Sequence, residues 1–136
     1  MKRVLIADDE PIERMIVTRT IQKYFPEELA VVSAANGREA VEQFFAENCQ
    51  IALLDIEMPG MNGLEAAEQI RERDKNCSII FLTAFDEFNY ARRAIAVRAM
   101  EYLLKPVEDQ ELEAVLAEAI RIADEHTDDR EAGEKK

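Results

Sequence analysis

The chain has 136 residues, a formal net charge of −12 and a pI near 4.6, with 48% hydrophobic and 34% charged residues. This length fits one domain of common size, and the composition is that of a globular protein rather than a disordered or fibrous one. The acidic balance argues against direct binding of nucleic acid, which relies on clustered Lys and Arg.

Cysteine usage and the first residues indicate the compartment. Cys49 and Cys77 lack metal-type spacing, and a single pair is a poor disulfide framework, so both are predicted to be reduced packing residues. The apolar stretch that begins the chain meets acids after a few residues, which makes it too short for a signal peptide or a membrane span. We therefore expect a cytoplasmic protein without membrane association.

The first half of the chain alternates predicted strands and helices. Residues 3–7 form an apolar run typical of a strand, and a helix is predicted from about Pro11 to Phe25, since proline suits the first turn. A second apolar run covers residues 29–34. A second helix follows Gly37, with three apolar side chains at helical spacing: Val41, Phe44 and Phe45.

The second half continues the same alternation. Strands are predicted at 51–55, 78–83 and 101–105, and like the earlier two they are expected to be buried on both faces. The helices between and after them are predicted from three apolar sets: Leu64, Ala67 and Ile70; Phe88, Ala91 and Ile95; and Leu112, Val115, Leu116, Ala119, Ile120 and Ala123.

Five strand–helix repeats predict an α/β fold, a doubly wound parallel sheet with helices on both faces. We expect one domain over residues 1–125. From His126 onward the sequence is polar and loses its apolar period. Residues 126–136 are therefore expected to be a frayed helix end, a linker or simply the end of the expressed chain.

Polar residues stand where these strands end. Asp8 and Asp9 follow the first strand, Asp55 ends the third, Thr83 the fourth and Lys105 the fifth. Because the carboxyl ends of parallel strands meet at one edge of a sheet, these side chains are predicted to share a crevice. Any one of them alone would be read as an ordinary turn or strand-end residue.

Three carboxylates so close would repel one another and raise their own pKa values unless cations lie among them. Lys105 supplies one positive charge, and Mg²⁺, which prefers oxygen ligands, would supply more. With both present, Asp55 could attack a phosphorus atom to form an acyl phosphate, and the Thr83 hydroxyl could bind a phosphoryl oxygen.

Four fragments, ADDEP, LLDIEMPGMNG, FLTAF and YLLKP, resemble the receiver domain of two-component response regulators, in that family's order. The resemblance runs from about Lys2 to Ala123. It implies the flavodoxin-like strand order 2-1-3-4-5. It also implies a cis peptide between Lys105 and Pro106, although composition alone favours trans.

The resemblance assigns a role to each matching position. Asp8 and Asp9 match the acidic pair that binds Mg²⁺, with Asp9 the more direct ligand, and Asp55 matches the phosphoacceptor, which also binds the metal. Glu57 matches the position whose backbone carbonyl reaches the metal. Lys105 matches the phosphate-binding lysine.

Two further positions match the family's switch. Thr83 corresponds to the hydroxyl that moves toward the phosphoryl group, and Tyr102 to the aromatic side chain that changes rotamer with it. Tyr102 can also be read as an ordinary, partly buried sheet aromatic whose hydroxyl finds a polar partner.

The resemblance implies a sensor histidine kinase as phosphate donor and a changed face formed by helix 4, strand 5 and helix 5. That face would control an output domain or a separate partner, most similar to AraC-type helix-turn-helix regulators of transcription, and a homodimer could form on phosphorylation. The domain would be no enzyme beyond assisting its own phosphotransfer and dephosphorylation.

Two alternatives stay open from the residues. A haloacid-dehalogenase-type phosphatase also uses a strand-end aspartate, but it wants a second aspartate two residues on, where this chain has Glu57. The other alternative is a scaffold or flavodoxin-like binder that has the fold without phosphorylation. A flavin binder would want a hydroxyl- and glycine-rich loop where this chain has the acids after its first strand.

Overall fold

The computed structural model describes the backbone of residues 1–134 and the side chains of residues 1–127. Strands and helices alternate along the described chain. The strands are β1 Lys2–Ala7, β2 Leu29–Ala34, β3 Ile51–Leu54, β4 Ser78–Thr83 and β5 Glu101–Leu104. The helices are α1 Pro11–Tyr24, α2 Gly37–Ala46, α3 Gly63–Arg73, α4 Phe88–Ala96 and α5 Asp109–Glu134.

The five strands form one parallel sheet in the order β2-β1-β3-β4-β5, as predicted. Alternate side chains of each central strand enter two separate cores, one on each face. On β3, for example, Ala52 and Leu54 belong to one core cluster, whereas Ile51 and Leu53 belong to the other. The chain is thus a doubly wound α/β domain.

The expectation that all five strands are buried on both faces is wrong for the two outer strands. β1 from Val4 onward, β3 and β4 are buried, but β2 and β5 each carry partly or fully exposed positions, among them Ser33 and Leu104. An outer strand pairs on one side only, so its open edge and part of its surface meet solvent. The apolar composition of the five runs does not show which strands lie at the edges of the sheet and which lie at its centre.

The prediction that Phe88, Ala91 and Ile95 form the buried face of α4 is also wrong. Phe88 and Ile95 are 77% and 76% exposed, and Ala94 is the buried residue of this helix. The helix packs through Tyr90, Ala94 and the following Val97, which form the opposite stripe. Both stripes have helical spacing, so periodicity alone could not choose between them.

The last helix, α5, packs its predicted apolar side chains on the sheet, with Leu112, Leu116, Ala119 and Ala123 buried. The helix continues through Glu134, so most of the polar segment 126–136 is helical. The last two residues of that segment, 135 and 136, lie outside the described part of the chain. Within α5, the Thr127 hydroxyl accepts a hydrogen bond of 2.8 Å from Lys2 Nζ. None of the helices described has the length and apolar character needed to cross a membrane.

Candidate phosphoryl-acceptor site

The site lies at the carboxyl edge of the sheet, where β1, β3, β4 and β5 end side by side. The Asp55 amide donates to the carbonyl of Ala7, and the Lys105 amide donates to the carbonyl of Thr83. These two bonds continue the strand ladders by one residue and place the functional side chains at a common height. The fold therefore brings together Asp8, Asp9, Asp55 and Lys105, as predicted from their strand-end positions.

The three aspartates form a compact acidic cluster. Each offers a carboxylate oxygen, and these atoms all lie within 4.8 Å of one another. Asp8 and Asp55 are buried, whereas Asp9 is exposed. An open position at Asp9 beside two buried carboxylates leaves the cluster reachable from solvent on one side.

Asp8 is held by bonds to both of its carboxylate oxygens. Oδ1 accepts a 3.0 Å hydrogen bond from the amide of Glu10, and Oδ2 accepts one of 2.8 Å from Lys105 Nζ. The guanidinium of Arg14 donates to the Asp8 carbonyl at 2.6 Å. The turn after β1 is therefore fixed from three directions, which gives the first carboxylate a set orientation.

Lys105 is the cation that pairs with the carboxylates of the site. Its ammonium lies 2.8 Å from Asp8, 3.6 Å from Asp55 and 3.8 Å from Glu13. Burial lowers the Lys105 pKa, but the hydrogen bond to Asp8 and the charges of Asp55, Asp8 and Glu13 together raise it more, so the net shift is upward. Lys105 is joined to Pro106 by a cis peptide bond, as the resemblance implied.

The pKa of the Asp55 carboxyl is shifted well above its ordinary value. Burial is the largest cause that raises its pKa from 3.8 to about 6; Lys105 opposes this rise, while Asp8 and Asp9 add to it. One ammonium therefore does not compensate the nearby acids. A hard divalent cation ligated by these oxygens would relieve the imbalance, so the residues present fit Mg²⁺.

Glu13 is a fourth acid of the site that sequence reasoning missed. It stands in the first turn of α1, and its carboxylate approaches the Lys105 ammonium. Its position could have indicated this role, because Glu13 stands one turn after Asp8 and Asp9, on a helix that starts at the same edge of the sheet. The apolar residues of α1 do not follow a clear helical period, so their spacing could not show which way the Glu13 side chain points.

The loop after Asp55 is shaped by close backbone packing. Gly63 starts α3 with its Cα against Asp55, since an added Cβ would lie 2.0 Å from the Asp55 carbonyl oxygen. Asn62 caps α3: its side chain accepts from the Glu65 amide at 2.9 Å, and the Glu65 carboxylate accepts from the Asn62 amide at 3.1 Å. Gly60 supplies the positive φ of 72° that the turn needs.

Glu57 belongs to this loop, and its side chain makes a contact that the sequence did not indicate. The hydroxyl of Tyr90 on α4 donates to its carboxylate, and this hydrogen bond is the main cause that raises the Tyr90 pKa to about 12. The loop that carries the expected metal-binding carbonyl is thus linked to α4.

Thr83 and Tyr102 lie on neighbouring strands but bond to the same loop. Thr83 is fully buried, and its Oγ1 accepts from the amide of Phe85 at 3.3 Å. The Tyr102 hydroxyl donates to the carbonyl of Phe85 at 2.6 Å, and the Tyr102 ring lies 6.3 Å from that of Phe81. Both side chains are therefore hydrogen-bonded to Phe85, in the loop between β4 and α4.

Residues 4–117 match the family model described as the response regulator receiver domain. The chain belongs to this family. The receiver domain is 41% identical over 118 residues to the positive alginate biosynthesis regulatory protein of Pseudomonas aeruginosa, which covers 87% of this chain and 47% of that protein. It spans less than half the length of the curated relatives that it matches.

Solved receiver structures share this fold. The response regulator TrrA of Thermotoga maritima, crystallised with Mg²⁺ and BeF, is 38% identical with a TM-score of 0.78, covering 88% of this chain and 99% of that chain. The REC domain of AraT, a response regulator from Geobacillus stearothermophilus, is 35% identical with a TM-score of 0.81, covering 93% and 98%. The receiver domain is the phosphorylation-activated switch of a response regulator, and neither the phosphatase nor the scaffold alternative is favoured.

Proposed function

We propose that this receiver domain takes a phosphoryl group from a sensor histidine kinase onto Asp55. In this reaction an Asp55 oxygen forms a bond to phosphorus while the bond between phosphorus and the histidine nitrogen of the kinase breaks, and the electron pair of that bond stays with the imidazole. The observation that carries the proposal is the position of the buried Asp55 carboxylate, 3.6 Å from the Lys105 ammonium and clustered with Asp8 and Asp9.

The proposed ligands of Mg²⁺ are the carboxylates of Asp8, Asp9 and Asp55 and the backbone carbonyl of Glu57. When bound, the ion would neutralise charge on the transferring phosphoryl oxygens. The acid cluster supports this assignment, as does the Mg²⁺ and BeF complex of TrrA. Lys105, already within 3.6 Å of the Asp55 carboxylate, would move its ion pair from Asp8 toward a phosphoryl oxygen.

The Thr83 hydroxyl is proposed to bind another phosphoryl oxygen, and this motion would carry the conformational signal. The hydroxyl now accepts from the Phe85 amide, so its movement toward the phosphoryl group would displace the loop whose carbonyl holds Tyr102. Tyr102 would then turn inward and change the populations of the face formed by α4, β5 and α5. The exposed Phe88 and Ile95 make that face suited to homodimer formation or to an output domain.

The output is proposed to regulate transcription through a further domain or partner, since two relatives are named transcriptional regulatory proteins. Residues 1–125 would form the receiver, with 126–136 leading toward the output. No turnover of a separate substrate is proposed for this domain. The free thiols of Cys49 and Cys77 support a reducing compartment, the cytoplasm.

The experiment is intact-mass spectrometry after incubation with acetyl phosphate and Mg²⁺. The wild-type protein is expected to gain the mass of one phosphoryl group, and Asp55→Asn is expected to gain none. A gain of equal size in the variant would overturn the assignment of Asp55. Hydrolysis of p-nitrophenyl phosphate at ordinary enzymatic turnover would favour the phosphatase alternative instead.

A further inference from the structure

A cavity of about 270 Å³ lies at the opposite edge of the sheet from Asp55. It is lined by the end of α3, the loop into β4, the turn between α4 and β5, and α5. Three of its lining residues are basic: Arg71, Lys75 and Arg98. Within the described part of the chain, no Asp or Glu lines this cavity.

Arg71 is the unusual member, because it is only 8% exposed. Its guanidinium donates to four backbone carbonyls: Nε to Val97 at 2.8 Å, Nη1 to Cys77 at 2.8 Å and to Asp74 at 3.2 Å, and Nη2 to Arg98 at 3.2 Å. Nη1 also donates to the Cys77 sulfur at 3.5 Å. A guanidinium has five N–H donors, so these four carbonyls leave one N–H of Nη2 without a carbonyl acceptor among the described residues.

The charge of Arg71 has no carboxylate counter-ion. Among residues 1–127, no carboxylate lies within 4.0 Å of the basic groups of Arg71, Lys75 or Arg98. The carbonyls of Val97 and Arg98 stand at the end of α4, where the helix dipole offsets about half a charge. Buried charges are usually paired, whereas the Arg71 guanidinium is bonded only to uncharged acceptors. The nearby Asp74 carboxylate accepts instead from the amides of Asn76 and Cys77.

We propose that this cavity binds a small anion that carries two or more phosphate or carboxylate groups. Arg71 forms the buried end of the site, while the exposed Lys75 and Arg98 at the rim bind the second group of the ligand. Guanidinium groups suit such ligands because their N–H groups match two oxygens of one phosphate or carboxylate. The ligand would bridge α3, β4 and the end of α4, and so would stabilise the end of α4 that lies farthest from the loop of Thr83.

The experiment is titration of ¹⁵N-labelled protein with inorganic pyrophosphate, and separately with citrate, without divalent cations. Saturable shifts are expected for the amides of residues 75–78 and 98–100, and not for those of 8, 9 and 55, where the acids repel anions. Binding of pyrophosphate alone would assign a phosphate ligand, and binding of citrate alone a polycarboxylate. Shifts that do not saturate, or that centre elsewhere, would overturn the proposal.

The variant that tests the residues is Lys75→Gln with Arg98→Gln, since both side chains are exposed and their loss leaves the packing of Arg71 intact. Affinity for the anion is expected to fall about tenfold or more. The matched control is Arg19→Gln with Lys23→Gln, which removes the same charge from exposed positions of α1. Equal affinity in the two double variants would refute the site.

Discussion

The Lys105 ammonium lies 2.8 Å from Asp8 and 3.6 Å from Asp55, so this lysine is closer to the first acid of the cluster than to the proposed phosphoacceptor. In the proposed metal site, Mg²⁺ would also bind the Asp8 carboxylate. We therefore expect lysine and metal to compete for this carboxylate.

Replacing Lys105 with methionine is expected to strengthen Mg²⁺ binding while weakening phosphorylation. Removal of the ammonium frees the Asp8 oxygen and removes a repulsive charge, so Mg²⁺ affinity should rise about three- to tenfold. Uptake of phosphate from acetyl phosphate should fall about 10- to 100-fold, because the transferring group loses a cation. Calorimetry and mass spectrometry measure the two effects, with exposed Lys23→Met as control. Weaker Mg²⁺ binding in Lys105→Met would contradict this account.

The Asp55 carboxyl should make stability fall as pH rises through a defined window. Its pKa lies at 3.8 ordinarily and at about 6 in the fold, because burial and the neighbouring acids favour the protonated form. Between those values the folded state binds more protons than the unfolded state, so this group stabilises the protein at low pH and loses that effect as pH rises toward and past 6.

Asp55→Asn removes this dependence and leaves Lys105 its ion pair with Asp8. The free energy of unfolding of Asp55→Asn, minus that of the wild type, should therefore grow by about 1–3 kcal/mol from pH 4 to pH 7 without Mg²⁺. Urea unfolding at several pH values measures it. Saturating Mg²⁺ should shrink the difference, since the ion stabilises ionised Asp55. A difference that stays constant with pH would show that Asp55 titrates normally.

Gly63→Ala is expected to distort the loop that follows Asp55. The new Cβ would fall 2.0 Å from the Asp55 carbonyl oxygen, and backbone atoms on both sides must move, at a cost of about 3 kcal/mol or more. Gly60→Ala is the matched control: the turn is open there, and only the φ of 72° opposes a side chain, at about 1–2 kcal/mol. Urea unfolding compares the two, and equal losses would contradict the packing argument.

Tyr102→Phe should loosen the loop between β4 and α4 with little effect on overall stability. The partly exposed hydroxyl contributes one hydrogen bond to Phe85, worth about 0.5–1.5 kcal/mol. Hydrogen exchange at residues 85–88 should become faster, whereas exchange in β1 and β3 should not change. Tyr24→Phe serves as control on α1. Unchanged exchange at residues 85–88 would mean that this bond does not hold the loop.

Phe88→Ser should leave the folded monomer intact and affect only association. Phe88 is 77% exposed, so its replacement should change the free energy of unfolding by no more than about 0.5 kcal/mol. If the α4 face forms the activated dimer, a size increase on adding beryllofluoride and Mg²⁺ should appear in the wild type and be lost in Phe88→Ser. Ile12→Ser, on the exposed side of α1, is the control. Dimer formation by Phe88→Ser would place the interface elsewhere.

The architecture and the residues of the acidic edge could be predicted from the amino-acid sequence. Apolar runs and turn residues set the five strands, and parallel strands necessarily bring their carboxyl ends together, so Asp8, Asp9, Asp55 and Lys105 could be grouped before any coordinate was known. The cis bond before Pro106 followed from the resemblance alone. The roles assigned to these residues in phosphorylation stay predictions for the experiments above.

Which helix faces are buried, and which charged side chains lie close together, became clear from the three-dimensional contacts. α4 carries two apolar stripes, and its orientation depends on Tyr90, Ala94 and Val97 packing on the sheet, which spacing cannot reveal. Glu13 reaches Lys105, and Arg71 meets the carbonyls at the end of α4, through contacts between segments far apart in sequence. The physical reason is that local periodicity fixes an element's type, whereas its rotation and partners depend on the shape and charge of the whole surrounding fold.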